Sequence, residues 1–422
     1  MIPRIRPSYS LADLRAAARA TPDTVAAFEQ DLARHFGVAH ALVFPYGRSS
    51  LSACLRALDL PQGEIVQPAY NCVVVAHATM AAGHRPVFVD VEADSPNQDP
   101  TEMVDRVSER TVAVVPTSMF GVSFDAPALC AGIRAKNPRA LILLDCCQCF
   151  TARWQGQLLA GEGDAALLAF GIGKPMTTLF GGALLTSRDE LAAAVRRYRD
   201  LTFRHRSPFD VAKRWLYFLA SWAALSGAAV RMTDLLENAD TPLHRYLLSL
   251  RSRETIALPD DNEVFMTPME AAIGREQLQR LDEFLRQRRE IARVYERSIA
   301  THGARLLSWP EGSTSAIYAV RLTDPGMRAA VQAGMRQRGI QADTTLSYVV
   351  PDLPCYRAAG YDGRPFPHSV AWAESVLNLP NHPGIQPQQA AQIARALAES
   401  IDQAWSGAGR LATPSSPAGG RR

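Results

Sequence analysis

Lys174 closes the short run Phe170-Gly171-Ile172-Gly173-Lys174, directly after a stretch of strand-forming residues. An amine in a glycine-containing turn at a strand end can reach into a cleft, where it can hold an aldehyde as an imine or move a proton. The ordinary alternative is a solvated loop lysine. Asp145 follows the run Leu141-Ile142-Leu143-Leu144. A carboxylate at the end of a buried strand is costly unless it is paired or hydrogen-bonded, so it needs a partner. Either a cationic ring nitrogen or the capping of the next turn would provide one. Gln148, three residues on, adds an amide donor. Gly47-Arg48-Ser49-Ser50 lies between a strand pattern and a helix pattern, where free backbone N–H groups and the helix dipole favour an anion. Many helices open on serine without binding one.

An amine, a strand-end carboxylate and an anion turn are what a pyridoxal phosphate (PLP) enzyme must supply, since the cofactor carries the electron sink and the protein carries position and charge. The elements that would position them are legible. Strand patterns occur at residues 41–44, 64–67, 86–91, 112–116, 140–144, 165–170 and 183–186, separated by helical patterns at 50–58, 74–82 and 127–135. That alternation predicts an α/β domain with a mostly parallel sheet. From about residue 201 the texture changes to a basic stretch, an apolar run at 215–230 and a polar linker to about 261. Thr267-Pro268-Met269-Glu270 then reads as a helix start, with a hydroxyl cap, proline at the first helical position and glutamate at the third. A long amphipathic helix is expected to follow to about Ala300, then a strand at 315–322, a closing helix at 387–405 and a Gly/Pro/Ser-rich disordered tail at 406–422. The domains expected are 10–255, with an apolar insertion at about 205–255, and a smaller α+β unit at 256–405.

The chain has 422 residues, 47% of them hydrophobic, enough for a large core, and a formal charge of +3 that leaves no footprint for nucleic acid. The N-terminus carries no apolar run behind its basic residues, so a cytoplasmic protein is expected. Seven cysteines, several inside apolar runs, suit reduced core thiols. Cys146, Cys147 and Cys149 lack a second ligand pair at zinc spacing, and no metal is expected.

Taken in order, these pieces resemble the DegT/DnrJ/StrS family of PLP-dependent sugar aminotransferases, of the aspartate-aminotransferase fold (fold type I). The resemblance runs from about Phe28 to Leu397. It is carried by Pro45-Tyr46-Gly47-Arg48-Ser49-Ser50-Leu51, Gly63-Glu64-Ile65-Val66-Gln67-Pro68-Ala69-Tyr70, Gly83 to Asp90, Pro116 to Gly121, Asp145 to Gln148, Phe170 to Lys174 with Gly181-Gly182, Ala271-Ala272-Ile273-Gly274, and Leu377-Asn378-Leu379-Pro380. It implies that Lys174 is the Schiff-base lysine, Asp145 the ring-nitrogen acid and Gln148 the neighbour of the phenolic oxygen. Gly47, Arg48 and Ser49 would form the phosphate turn. It also implies a homodimer in which the segment around Asn262 reaches the neighbour's site. Three positions depart from the family pattern. Ala169 stands where a phosphate-binding serine is usual, Arg48 where threonine is usual, and Cys72 where an aromatic often stacks on the cofactor, with Tyr70 close by. The retained lysine sets the chain apart from the dehydratase branch, which has histidine there.

The expected function is ping-pong transfer of an amino group from glutamate to a keto group, which the resemblance makes that of a nucleotide-linked sugar. The rivals are a PLP-binding regulatory homologue without transferase activity, a nucleotide-binding α/β protein without PLP, and an aminotransferase for another carbonyl. The apolar run at 215–230 is too short to span a bilayer. It is expected to be buried within the dimer, with docking on a membrane surface as the alternative.

Overall fold

The computed structural model describes residues 1–224, 255–299, 303–361 and 364–411. The strands are β1 (His40–Phe44), β2 (Glu64–Pro68), β3 (Arg85–Val89), β4 (Thr111–Val114), β5 (Leu141–Asp145), the hairpin β6 (Arg153–Trp154) and β7 (Gln157–Leu158), β8 (Ala165–Ala169) and β9 (Gly182–Thr186). Seven of them form one sheet in the order β1-β9-β8-β5-β4-β2-β3. β3, β2, β4, β5 and β8 pair in parallel, and β9 runs antiparallel to both of its neighbours. Every strand of this sheet falls on an expected run.

A parallel sheet is covered on both faces, which is why β5 reads as unbroken aliphatics. Side chains alternate across it: Ile142 and Leu144 enter one buried cluster, Leu141 and Leu143 the other. The same parity puts Asp145 on the face of Leu141 and Leu143. Leu51, from the helix Gly47–Ala57 that opens the predicted anion turn, belongs to that face's cluster.

A second, antiparallel sheet of β10 (Ala304–Leu306), β11 (Tyr318–Leu322) and β12 (Val376–Leu379) has its own core with the helices Leu281–Ser298, Arg328–Gln337 and Pro387–Leu411. β11 starts later than expected because Ser315 adopts φ 50°, which breaks the extended run. The expected long helix is two, Pro268–Gln279 and Leu281–Ser298, parted at Arg280, whose φ of −107° and ψ of 0° leave the helical region. Arg280 at that break pairs with the buried Asp13 at 2.6 Å. The predicted cap is present: Thr267 Oγ1 accepts from Glu270 N at 3.2 Å, and the Glu270 carboxylate accepts from Thr267 N at 2.9 Å. This helix packs on the large sheet, with Ala271 and Leu278 in the cluster of Phe28 and Phe170. Gly274 lets it approach, since a Cβ there would stand 2.4 Å from the Phe28 ring. The closing helix runs to Leu411, so the expected tail is helical at 406–411. Its remainder at 412–422 lies outside the described residues, as do Ala300, the end of the apolar run at 225–230 and most of the polar linker.

Residues 208–224 of the insertion are a helix, Pro208–Ala224. It is not buried all round. Phe218 is fully buried against Ala17, Leu179, Met269 and Ile273, with Trp215 and Trp222 beside it. The other side exposes Leu216 (69%), Tyr217 (45%) and Leu219 (48%) in the single chain. Among the described residues no helix is long and apolar enough to cross a membrane.

Candidate active site

A cavity of about 290 Å³ opens at the C-terminal ends of β5 and β8, and Lys174, Asp145, Gln148, Gly47, Arg48, Cys72 and Ala169 all line it. β5 and β8 are paired neighbours, with Asp145 opposite Leu167, so the carboxylate and the lysine turn that follows β8 converge by sheet register. Asp145 is buried, and its Oδ1 accepts from Cys147 N at 3.0 Å. Gln148 Oε1 accepts from Phe120 N at 3.0 Å and so holds the left-handed backbone of Phe120, φ 58°. That bond leaves the amide nitrogen of Gln148 as the group able to donate into the cavity. Val74 and Val75 form an apolar wall. Cys147 also lines the cavity, and burial, with the Asp145 charge next, pushes its thiol well up.

The anion turn is set by close backbone approach. A Cβ on Gly47 would meet Ala169 Cβ at 2.8 Å, and a Cβ on Gly182 would meet Gly47 N at 2.4 Å. Glycine at both positions therefore lets the first turn of the helix Gly47–Ala57 press onto β8 and β9. Position 169 faces this turn, and here it presents a methyl group. Arg48, with its guanidinium 5.1 Å from the Tyr46 ring centroid, brings positive charge to the same end of the cavity.

The family model for the DegT/DnrJ/EryC1/StrS aminotransferase family matches residues 13–237 and 262–398. The chain belongs to this family. Among curated members, it is 25% identical over 375 residues to the GDP-perosamine synthase of Caulobacter vibrioides, an alignment covering 85% of each chain. It is 28% identical over 389 residues to the dTDP-4-dehydro-2,3,6-trideoxy-D-glucose 4-aminotransferase of Saccharopolyspora spinosa, covering 89% of this chain and 88% of the other. By fold it is similar to Helicobacter pylori PseC, an aminotransferase involved in the biosynthesis of pseudoaminic acid, with a TM-score of 0.75, 18% identity and coverage of 95% and 99%. As a DegT/DnrJ/EryC1/StrS member the chain is a PLP-dependent aminotransferase, and solved structures of the same fold carry the cofactor in its PLP and PMP forms. The cavity fits that cofactor: a lysine amine, a buried carboxylate with one oxygen committed to a backbone N–H, and a glycine-lined helix start share its wall.

Three residues named from the sequence are placed elsewhere. Tyr70 is a core residue, wholly buried, stacked on Trp372 at 6.4 Å and donating to Leu346 O at 3.1 Å. The turn after β2 swings it away from the cavity and brings in Cys72 instead. Within the single chain, Arg204 and Val264 bridge the Asn262 segment to the end of the helix Asp189–Thr202. The Asn262 Oδ1 accepts from Ser49 Oγ at 2.8 Å within the chain. Ser49 is thus buried and spent on Asn262 and does not line the cavity.

Tyr46 and Phe180 also line the cavity and were not singled out from the sequence. The Tyr46 hydroxyl donates to Asp261, 2.8 Å from each oxygen. Arg214 donates to the same carboxylate at 2.7 Å and lies 4.1 Å over the Phe180 ring, and Arg206 pairs with it at 3.1 Å. Burial by itself would raise Asp261. The Tyr46 hydroxyl and the two guanidinium groups outweigh it and hold the carboxyl below its usual range. Pro45-Tyr46-Gly47 was a visible motif, but nothing local in the sequence points to Arg214 or Asp261 as its partners.

Proposed function

We propose that this aminotransferase takes an amino group from glutamate and delivers it to the keto group of a nucleotide-linked sugar, with Lys174 and Asp145 as the catalytic pair. The observation that carries the proposal is the single cavity that both side chains line. Bound PLP supplies the electron sink. Lys174 Nζ would hold the cofactor and would take and return the proton at the reacting carbon. Asp145 keeps the proton on the ring nitrogen. Gln148 would donate to the phenolic oxygen, the backbone of Gly47 and the Arg48 side chain would hold the phosphate, and Val74, Val75 and Cys72 would keep water from the ring. The names of the two curated relatives, both built on nucleotide-linked sugars, support the acceptor class.

The same proposal includes a cytoplasmic homodimer. An exposed apolar face of Leu216, Tyr217 and Leu219 supports association, since such a patch needs cover. It also retains two structural units. The helix Pro268–Gln279 goes with the larger one, whose core it enters, and the smaller unit's own core begins at Ile291.

The test is in two halves. Glutamate added to the purified holoenzyme should convert the cofactor's visible absorbance to that of the amine form and release 2-oxoglutarate. A panel of nucleotide-linked keto-sugars should then include one that restores the first spectrum. No change with glutamate would point to a non-transferring regulatory homologue; restoration only by other carbonyls would overturn the sugar assignment.

A further inference from the structure

A separate cleft of about 20 Å³ lies behind the lysine turn, lined by Gly173, Arg6, Arg288, Asn381 and His382, with Arg4 at its edge. No carboxylate is among its lining residues. Arg288 is only 6% exposed. Its Nη1 donates to two backbone carbonyls, Ala316 O at 2.8 Å and Asn381 O, while its Nε meets no acceptor. Among the described residues it has no acidic partner. Burial pushes this guanidinium down to about 10, and burial together with the charges of Arg288 and Arg6 pushes His382 down to about 3. His382 is therefore neutral, with Nε2 donating to Pro3 O at 3.1 Å and Nδ1 accepting from Gly384 N at 3.2 Å. A buried cation without a counter-charge is costly. Guanidinium groups with uncommitted N–H donors are the usual partners of carboxylates.

We propose that this cleft is a binding site for a carboxylate-sized monovalent anion, held by Arg288 and Arg6 against the backbone of Gly173. Its volume admits one small ion or one carboxylate group and no whole amino acid. The anion would join three parts of the chain. The N-terminal strap passes over the cleft, pairing Ile2 N with Gly339 O at 2.7 Å, Gln341 N with Ile2 O at 2.9 Å and Arg4 with Thr345 at 3.1 Å. Arg288 comes from the helix Leu281–Ser298, and Gly173 directly precedes Lys174. An occupied site would stiffen the strap and the lysine turn together. The carboxylate can come from a free anion such as formate or from one end of a substrate such as glutamate. The site stands independently of the sugar-transfer proposal, and only its glutamate source rests on it.

Formate titrated into the full-length holoenzyme, with ionic strength held by a bulky sulfonate salt, should raise the melting temperature saturably. Calorimetry should give one site per chain, with affinity reduced about tenfold or more in Arg6→Gln, whose side chain is at the surface and whose fold should be intact. Arg288→Gln should abolish binding if it folds. No saturable response in the wild type, or unchanged formate affinity in Arg6→Gln, overturns the site. If formate competes with glutamate in the cofactor's spectral conversion, the substrate's carboxylate occupies the cleft; if binding persists without competition, the ligand is a free anion. Formate binding in a protein whose spectrum ignores glutamate would sink the transfer proposal and leave the site standing.

Discussion

Lys174 and Asp145 enter one cavity from two paired strands, so their roles can be separated by substitution. Lys174→Ala should eliminate turnover. In the wild type, borohydride reduction followed by peptide mapping should place the cofactor on Lys174; label on any other lysine would end the assignment. Asp145→Asn keeps an acceptor for the Cys147 N–H, so the fold and bound PLP should survive. A neutral amide cannot hold the ring nitrogen protonated, and kcat should fall by well over about tenfold, each decade being about 1.4 kcal/mol. A folded variant with near-normal kcat would remove Asp145 from the mechanism. Arg48 brings its charge to the cavity end where Ala169 offers no hydroxyl. Arg48→Ala should therefore weaken PLP affinity in an equilibrium titration while leaving the melting temperature of the cofactor-free protein nearly unchanged. Equal affinity for both proteins would return Arg48 to an ordinary helix-start residue.

At the scale of elements, the cofactor end of the cavity depends on pieces far apart in the chain. The helix Gly47–Ala57 seats against β8 and β9 through glycines, while the helix Pro208–Ala224 sends Arg214 across Phe180 to Asp261 and Tyr46. Removing Asp261 would leave Arg206 and Arg214 buried without their shared carboxylate. Asp261→Ala should cost about 2 kcal/mol, below the usual figure for breaking a buried pair because the Asp261 carboxyl is partly solvated. Chemical denaturation of the two proteins measures this. Because the folded carboxyl titrates below its unfolded value, its contribution is complete at neutral pH and is lost as pH falls through the folded value. The stability difference between wild type and Asp261→Ala should therefore shrink on acidification. A difference that grew would contradict the ion-pair account.

For the whole molecule, the exposed side of the helix Pro208–Ala224 is the feature that calls for a partner. With a homodimer as the proposed state, the double variant Leu216→Glu, Leu219→Glu should shift light-scattering mass toward the monomer. Trp215, Phe218 and Trp222, which the apolar pattern also brings forward, pack on the inner side, so making them polar would damage the core instead. The wild-type protein should stay in the soluble fraction in flotation with anionic liposomes. Co-flotation lost in the double variant would reassign this face to a membrane surface.

Much of this was readable from residue order. β5 is recognisable as a buried strand because four aliphatics in a row satisfy both faces of a covered sheet, and Asp145 is conspicuous because it breaks that run. Thr267-Pro268-Met269-Glu270 announces its helix because a capping box is a purely local exchange of hydrogen bonds. Lys174, Gln148 and Gly47 also follow from short motifs, since each is positioned by the strand or turn that immediately precedes it. Tyr70 and Cys72 show where local reasoning stops. Both follow β2 within a few residues, and which one faces the cavity depends on Trp372 and Leu346 receiving Tyr70 from the far end of the chain. Asn262, Arg214 and Asp261 are ordinary polar residues in sequence, and their meaning comes from Ser49, Phe180 and Tyr46, which only tertiary packing brings near. Sequence by itself determined the strands of the large sheet, the cap at Thr267 and the groups able to do chemistry, because those depend on neighbours along the chain. Tertiary structure alone decided which of those groups share a cavity and which buried charges find partners, because those depend on side chains meeting across intervening chain of tens to hundreds of residues.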